Sequence, residues 1–301
     1  MNNVNCDQFG PDLSYCCLRL NITQRMDKYV LITGASAGLG KAMATQLAQQ
    51  GHNLVLVALP DEGLADFAEQ LQQTCNVTVA YYEADLCKRA TIDGLVTWLY
   101  ELNIALFYLI NNVGTGGSQA FDEADINYLE RMLQLNVMTT ALLTRQLIPF
   151  LLQFEQSYIL NVASMAAFSP MPYKTVYPAS KAFIYSFSLG LQAELASKGV
   201  QVSVLHPGSM PHSPENKARL EKHGWIGRLS VVPLEEVAQC ALRHVSKGKS
   251  VIIPGWANRV GYYFMKWIPW AWRKQIMTNA FRKEVAEQQF VIQTNEQPEI
   301  V

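Results

Sequence analysis

The feature that most constrains this 301-residue chain is a strand-like run that leads directly into a glycine-rich turn. Tyr29–Thr33 is rich in apolar and β-branched residues, and Gly34, Gly38 and Gly40 follow it. From residue 39 onward, apolar residues recur every four positions, as in a helix facing a core. A strand, a glycine turn and a helix start place backbone N–H groups around an anion. The segment therefore predicts a dinucleotide-binding loop in which Gly34 permits the turn, Gly38 the approach of a pyrophosphate and Gly40 close helix packing.

The rest of the chain up to about residue 255 alternates short apolar runs with helical periodicity. The predicted strands are Tyr29–Thr33, Leu54–Ala58, Val77–Glu83, Ala105–Asn111, Tyr158–Ala163, Val200–Leu205 and Val251–Pro254. Continuous rather than alternating apolar strands indicate burial on both faces of a sheet. The order predicts one α/β domain over 26–255, a doubly wound, Rossmann-type parallel sheet of about seven strands, with a C-terminal helical extension over 256–301.

Composition and the chain's first residues narrow the function classes. Half of the residues are hydrophobic and the formal net charge is −1, which argues against a disordered chain and against a basic surface for nucleic acid. Six scattered cysteines contain no C-x-x-C pair, so we expect no metal site and a reducing, cytoplasmic setting. Residues 1–25 lack the apolar core of a secretion signal and are expected to be a non-core extension. The sequence contains no run of 18 apolar residues, so it predicts no membrane-spanning helix.

Further motifs follow the glycine turn in a fixed order. They are Asp85 after the third strand, Asn111-Asn112-Val113-Gly114 at the fourth, Asn136 in a Leu-Asn-Val triplet, Ser164 after the fifth strand, Tyr177-x-x-x-Lys181, and Pro207-Gly208 after the sixth. With the G-x-x-x-G-x-G spacing, they resemble the short-chain dehydrogenase/reductase family over residues 28 to about 255. The Asn-Asn-Val-Gly motif and the aromatic C-terminal extension resemble its hydroxysteroid and long-chain 3-oxoacyl reductase branch.

The resemblance implies a set of site residues. Those implied to bind the cofactor are Gly34, Ser36, Gly38, Leu39, Gly40, Asp85, Asn112, Tyr177, Lys181, Pro207 and Gly208. Those implied to be catalytic are Asn136, Ser164, Tyr177 and Lys181. His212 stands where the family often has a threonine that contacts the cofactor, which puts the contacts there in doubt.

The residue types support that chemistry. On a helix, Tyr177 and Lys181 share one face, and an ammonium beside a phenol is expected to lower the phenol pKa. Pro178 requires this pair to lie near a helix start or at a local kink. The Ser164 hydroxyl can hold a substrate carbonyl oxygen, although a serine there can equally be a turn or cap residue. Asn136 either anchors a water beside Lys181 or bridges backbone groups.

The choice of cofactor depends on the end of the second strand. An acidic residue there binds the ribose of NAD, and a basic one pairs with the 2′-phosphate of NADP. Leu59 occupies this position, Asp61 follows two residues later, and Ser36 and Lys41 are polar groups near the loop. We therefore predict NADP in preference to NAD.

The predicted reaction is reduction of a bulky apolar ketone by a nicotinamide cofactor. Five residues are candidates to line the substrate cavity, although ordinary core packing uses the same types: Phe168, Met171, Tyr173, Met210 and Trp225. Two alternatives stay open: an NAD-dependent dehydrogenase of a small polyol or hydroxy acid, and a catalytically silent nucleotide sensor that regulates a partner. Association into a homo-oligomer is compatible with each.

Residues 255–283 have a distinct composition. They hold four of the six tryptophans and six basic residues, and no acidic residue. Tryptophan combined with lysine and arginine on an amphipathic helix is typical of a membrane interface. Either this segment contacts a membrane peripherally, or its aromatics pack on the domain, the substrate pocket or a second subunit.

Overall fold

The computed structural model describes residues 27–210 and 230–268, together with Trp272, Gln275 and Thr278. Its centre is a seven-stranded sheet in which all neighbours pair in parallel, in the order β3-β2-β1-β4-β5-β6-β7. The strands are β1 Lys28–Thr33, β2 Asn53–Ala58, β3 Val79–Glu83, β4 Ala105–Asn111, β5 Ser157–Val162, β6 Val200–Leu205 and β7 Val251–Ile252. All seven predicted strands are present, and the largest difference in an end is two residues, at the start of β3 and the end of β7.

Helices cover both faces of this sheet. The described helices are α1 Gly38–Gln49, α2 Leu64–Cys75, α3 Arg89–Glu101, α4 Ile126–Leu133, α5 Thr140–Leu151, α6 Val176–Leu195, α7 Leu234–Val245 and α8 Trp256–Trp267. Side chains of α1, α2 and α7 form one core with Val30 and Ile32 of β1. Those of α3, α5 and α6 form the other with Leu31, because successive strand residues point to opposite faces. This is the predicted doubly wound α/β fold.

The sheet also fixes where a ligand can bind. Strand order reverses between β1 and β4, and in open α/β sheets the crevice at that switch, beyond the carboxyl ends of the strands, receives the ligand. The glycine turn leaves β1 at this edge, and the segments that follow β4, β5 and β6 leave at the same edge.

Two helical features differ from the sequence pattern. The helix pair α4 and α5 is joined without a loop by a π-helical turn, Gln134–Thr139. In α6, Phe183 and Phe187 are spaced four residues apart, yet Phe183 is exposed and stacks with Phe187, and Ile184 takes the buried position.

Several predictions fall on residues that the structure does not describe. These include the N-terminal extension 1–25, His212, Trp225 and most of the chain beyond residue 268. Within the described ranges, no helix combines the length and the apolar character needed to cross a bilayer.

Candidate active site

A cavity of about 880 Å³ opens at the carboxyl edge of the sheet. Among the residues implied by the resemblance, those that line it are Gly34, Gly38, Leu39, Asp85, Asn112, Ser164, Tyr177, Lys181, Pro207 and Gly208. Ser36, Gly40 and Asn136 are not part of the lining. The structure thus brings most of the predicted site residues around one cavity, and its size lies in the range of small-molecule and cofactor sites.

The glycine loop is built for close backbone packing. Gly34 has a φ of +66°, a conformation that glycine adopts without strain. A Cβ on Gly40 would stand 2.0 Å from the Gly34 carbonyl oxygen, so the first turn of α1 presses against the loop itself. The Asn112 amide donates hydrogen bonds to the carbonyl oxygens of Thr33 and Gly34, both at 3.0 Å. Asn112 therefore ties the end of β4 to this loop.

The segment after β2 contains a carboxylate that sequence analysis missed. Glu62 lines the cavity, and the Ser36 hydroxyl donates a hydrogen bond to its Oε2. Lys41 points elsewhere, with its Nζ 4.6 Å from the ring centroid of Phe67. Ser36 and Lys41, the polar groups that the NADP prediction considered beside Leu59, are thus both engaged within the protein.

The far end of the cavity holds an ion pair. Arg131 Nη1 lies 3.1 Å from Asp85 Oδ2, and the Cys87 backbone N–H donates to Asp85 Oδ1. Burial works against the Asp85 charge, but the hydrogen bonds from Cys87 and Arg131 outweigh it and hold the pKa of the carboxyl below its usual range. Arg131 stands 46 residues away in sequence, so no spacing pattern indicates this contact.

Three predicted catalytic side chains meet on the floor of the cavity. Ser164 follows β5, and Tyr177 is the second residue of α6, with Pro178 in the first turn as predicted. The Ser164 hydroxyl acts on the Tyr177 phenol, whose pKa it tends to lower. The Ser164 hydroxyl also accepts from the Ala166 N–H at 3.1 Å and so caps a short 3₁₀ helix, Met165–Phe168. Ser164 therefore fulfils the capping alternative and still faces the phenol.

Lys181 lies one helical turn beyond Tyr177 and is buried. Its Nζ donates to the Val162 carbonyl oxygen at 3.1 Å and lies 5.9 Å from the centroid of the Tyr177 ring. Burial lowers the pKa of Lys181 to about 8. Burial also raises the pKa of Tyr177, and the hydrogen bond with Ser164 offsets it only in part. The expected lowering of the phenol pKa by Lys181 is wrong in this structure, because burial dominates and only Ser164 opposes it.

Asn136 occupies the π-helical turn and is almost fully buried. Its Oδ1 accepts from the Thr115 N–H at 2.9 Å, and its Nδ2 donates to the Thr115 carbonyl and to the Ser180 hydroxyl. A Cβ on Gly114 would touch both Asn136 Oδ1 and Lys181 Nζ, so the two side chains flank the same glycine. Asn136 thus bridges backbone groups, and the water-anchoring role stays a prediction.

His206, directly before Pro207, is a site residue that sequence analysis missed. It is fully buried, and its Nδ1 lies 2.9 Å from the Ser164 carbonyl oxygen. That oxygen only accepts, so Nδ1 carries the proton and donates. The ring packs on Phe168 at 4.3 Å. His206 therefore connects the end of β6 to the backbone of Ser164.

The residues proposed for the substrate side separate into two groups. Met171 and Met210 line the cavity. Phe168 does not: it packs on Tyr185, His206 and Tyr262 and belongs to the supporting layer. Tyr173 lines a small neighbouring cavity.

Comparisons with known proteins agree with this geometry. Residues 28–223 match the model of the short chain dehydrogenase family. The 17-beta-hydroxysteroid dehydrogenase type 3 of Mus musculus is 31% identical over 212 residues, which cover 69% of this chain and 69% of that protein. The very-long-chain 3-oxoacyl-CoA reductase of Anas platyrhynchos is 35% identical over 184 residues, 60% of this chain and 58% of that protein.

Solved structures show the same fold over more of the chain. The bulky-bulky ketone specific alcohol dehydrogenase of Comamonas testosteroni superimposes with a TM-score of 0.67 at 26% identity, covering 92% of this chain and 96% of that one. A short-chain dehydrogenase of Sphingobium yanoikuyae in complex with NADPH gives 0.68 at 26% identity, covering 91% and 97%.

Fold, cavity and comparisons together define an oxidoreductase that depends on a nicotinamide dinucleotide. The chain belongs to the short-chain dehydrogenase/reductase family.

Proposed function

We propose that this enzyme reduces a bulky, apolar ketone to a secondary alcohol. The observation that carries the proposal is the placement of Ser164, Tyr177 and Lys181 together on the lining of a cavity large enough for a dinucleotide and an organic substrate. The glycine loop, whose first helical turn leaves no room for a Cβ on Gly40, fits the phosphates of that dinucleotide. When bound, the nicotinamide supplies the hydride.

The chain's own residues orient the carbonyl and supply the proton. The Ser164 hydroxyl holds the carbonyl oxygen, and the Tyr177 phenol donates a proton to the oxygen as it gains negative charge. Burial keeps the pKa of Tyr177 above its ordinary value, so the phenol stays protonated near neutral pH. A protonated phenol is the form that reduction requires.

The cavity lining supports a large apolar substrate. Met171, Met210 and Ala166 face the space beside Ser164, and the two methionine side chains are flexible enough to accept varied apolar shapes. One relative is named as a 3-oxoacyl-CoA reductase, so a 3-oxoacyl thioester is a second form of the same substrate class. The relatives named for hydroxysteroids, 3-oxoacyl-CoA and bulky ketones point the same way.

The observations that bear on the choice between NADPH and NADH point in opposite directions. Leu59 leaves the end of β2 without a carboxylate, and NADPH is bound in two related structures, which supports NADPH. Glu62 beside Ser36 would repel a 2′-phosphate, so binding of NADPH requires the Ser36–Glu62 contact to open. The preference for NADPH stays a prediction.

A carbonyl panel tests the proposal. Oxidation of NADPH and of NADH is followed by absorbance with a steroid ketone, a bulky aromatic ketone, a 3-oxoacyl thioester, a small keto sugar and a small oxo acid. Turnover should be highest with one of the first three, and Tyr177→Phe should abolish it. Faster turnover of the keto sugar or oxo acid would contradict the substrate class. Tight dinucleotide binding without turnover of any ketone would instead support the nucleotide sensor.

A further inference from the structure

The helix α8 has two faces of opposite character. Asn258 and Tyr262, four residues apart, are buried, with the Tyr262 ring 4.5 Å from that of Phe168. The Asn258 amide donates to the carbonyl oxygens of Ser230 and Pro254. This inner face fixes the helix to the domain at a defined rotation.

The outer face of α8 consists of exposed apolar side chains at helical spacing. They are Trp256, Val260, Tyr263, Phe264 and Trp267, which are exposed by 58–86%, with Trp267 the most exposed. Because the inner face already makes the contacts that hold the helix, these side chains add nothing to the described core. A contiguous aromatic surface of this kind marks an interaction site.

Charge identifies the partner. Arg259 is exposed on the same side of α8 as Trp256, which lies three positions earlier, and Tyr263, which lies four positions later. Residues 255–283 carry six basic and no acidic residues, whereas the whole chain has a net charge of −1, so the remainder is net negative. A second copy docked by the same face would bring two basic segments together, and so would residues 269–283 folded back onto it. An anionic bilayer meets both the charge and the aromatic surface.

We infer that α8 docks the enzyme on the surface of an anionic lipid bilayer, with its outer aromatic side chains at the interface. Tryptophan and tyrosine place an apolar ring among the acyl chains and a polar edge among the headgroups, and an arginine stem can lie along the same boundary. Asn258 lines the active-site cavity from the inner face of the same helix, so docking would set the cavity beside the membrane.

Vesicle sedimentation of the full chain tests this inference. The probes are phosphatidylcholine vesicles with and without 30% phosphatidylglycerol. The protein should sediment with the anionic vesicles, and 0.5 M salt should release part of it, because the charge contribution is screened. The double substitution Phe264→Ser with Trp267→Ser should reduce the bound fraction at least about fivefold.

Matched variants separate this surface from general stickiness. Tyr100→Ser with Phe121→Ser removes two exposed aromatics elsewhere, at 55% and 61% exposure, and should leave sedimentation unchanged. Arg259→Glu should weaken binding to anionic vesicles, and Arg145→Glu, exposed on α5, should have little effect. Thermal melting confirms that each variant is folded.

Three outcomes would overturn the inference. The first is failure of the full chain to sediment with anionic vesicles. The second is equal sedimentation of the α8 double variant and its control. The third is a shift from dimer to monomer in the α8 variant, measured by light scattering without lipid and with no vesicle binding by either form. These readouts do not involve turnover, so they stand apart from the test of the reductase activity.

Discussion

The floor of the cavity and the outer face of α8 both depart from the usual pattern in which apolar side chains are buried and polar ones are exposed. At the cavity floor and in the layer behind it, polar groups such as Lys181, His206 and Asn136 are buried. On α8, large aromatic side chains such as Phe264 and Trp267 are exposed. Burial ordinarily selects the opposite arrangement. Each of these buried polar groups makes at least one hydrogen bond within the chain, although His206 Nε2 has no partner among the described residues. The exposed aromatics gain nothing from burial. Folding stability alone would select neither arrangement, and each lies where an interaction is proposed.

The largest effect should come from the cavity floor. Tyr177→Phe removes the phenolic proton and keeps the ring, so kcat should fall about 10³-fold, and by no less than about 10². Affinity for the dinucleotide, measured by direct titration, should change little. Near-normal turnover with a folded variant would contradict the assignment of Tyr177 as proton donor.

His206 should make folding stability depend on pH. Burial lowers its pKa to about 4, against about 6.5 in an unfolded chain. As pH falls from 6.5 toward 4, the unfolded chain takes up a proton that the folded chain does not, and stability is lost by on the order of 3 kcal/mol. Above pH 6.5 this contribution is fully present.

Denaturant unfolding at several pH values measures this dependence. His206→Asn keeps an N–H donor for the Ser164 carbonyl oxygen and cannot titrate, so its stability should fall less steeply between pH 6.5 and 4 than that of the wild type. Contributions from other groups, including His52, whose pKa burial also lowers, are common to both proteins. Parallel curves would show that His206 is not responsible.

A glycine near the phenol should affect turnover without affecting the fold. A Cβ on Gly116 would stand 2.7 Å from the Tyr177 ring, so Gly116→Ala must displace the ring. Small misplacements of a catalytic group are costly, and we expect kcat to fall roughly 10-fold to 10²-fold. Gly190→Ala, on α6, is the control, because a Cβ at this position would meet nothing within 4 Å. Equal kcat values in the two variants would show that the ring tolerates the shift.

Removing a negative charge beside the glycine loop should change the relative affinity for the two dinucleotides. Glu62→Gln removes the carboxylate that accepts from Ser36, so affinity for NADPH should rise relative to NADH by about tenfold. Titration of both dinucleotides gives the ratio, and Asp61→Asn is the neighbouring control, since Asp61 does not line the cavity. A shift in the Asp61 variant alone would move the assignment to that residue.

The smallest effect should be on folding stability, when α8 is substituted and no lipid is present. Trp267→Ser removes a large aromatic side chain that is 86% exposed, so the free energy of unfolding should change by less than about 0.5 kcal/mol. A loss of 2 kcal/mol or more would mean that Trp267 packs against the chain, and the contrast between the two regions would fail.

Sequence analysis predicted the parts of the molecule that local patterns determine. Each buried strand is a continuous apolar run, and the glycine loop and the Tyr177–Lys181 pair are close in sequence. The contacts it missed join distant residues: Arg131 with Asp85, Glu62 with Ser36, and His206 with Ser164. No spacing rule brings such pairs together, because their proximity depends on where loops leave the sheet. The pKa direction of Tyr177 was wrong because burial is a property of the whole fold.

The π-helical turn at Gln134–Thr139 has a consequence for how this chain tolerates change in length. A wide turn accommodates one residue more than a regular α-helix would over the same path. Deleting a single residue there can therefore restore regular α-helical hydrogen bonding while α4 and α5 keep their present faces. Such a deletion removes the wide backbone turn that carries Asn136, so the hydrogen bonds between Asn136 and Thr115 would be lost. A one-residue deletion at this turn should thus preserve the helix packing and disturb the amide in the site.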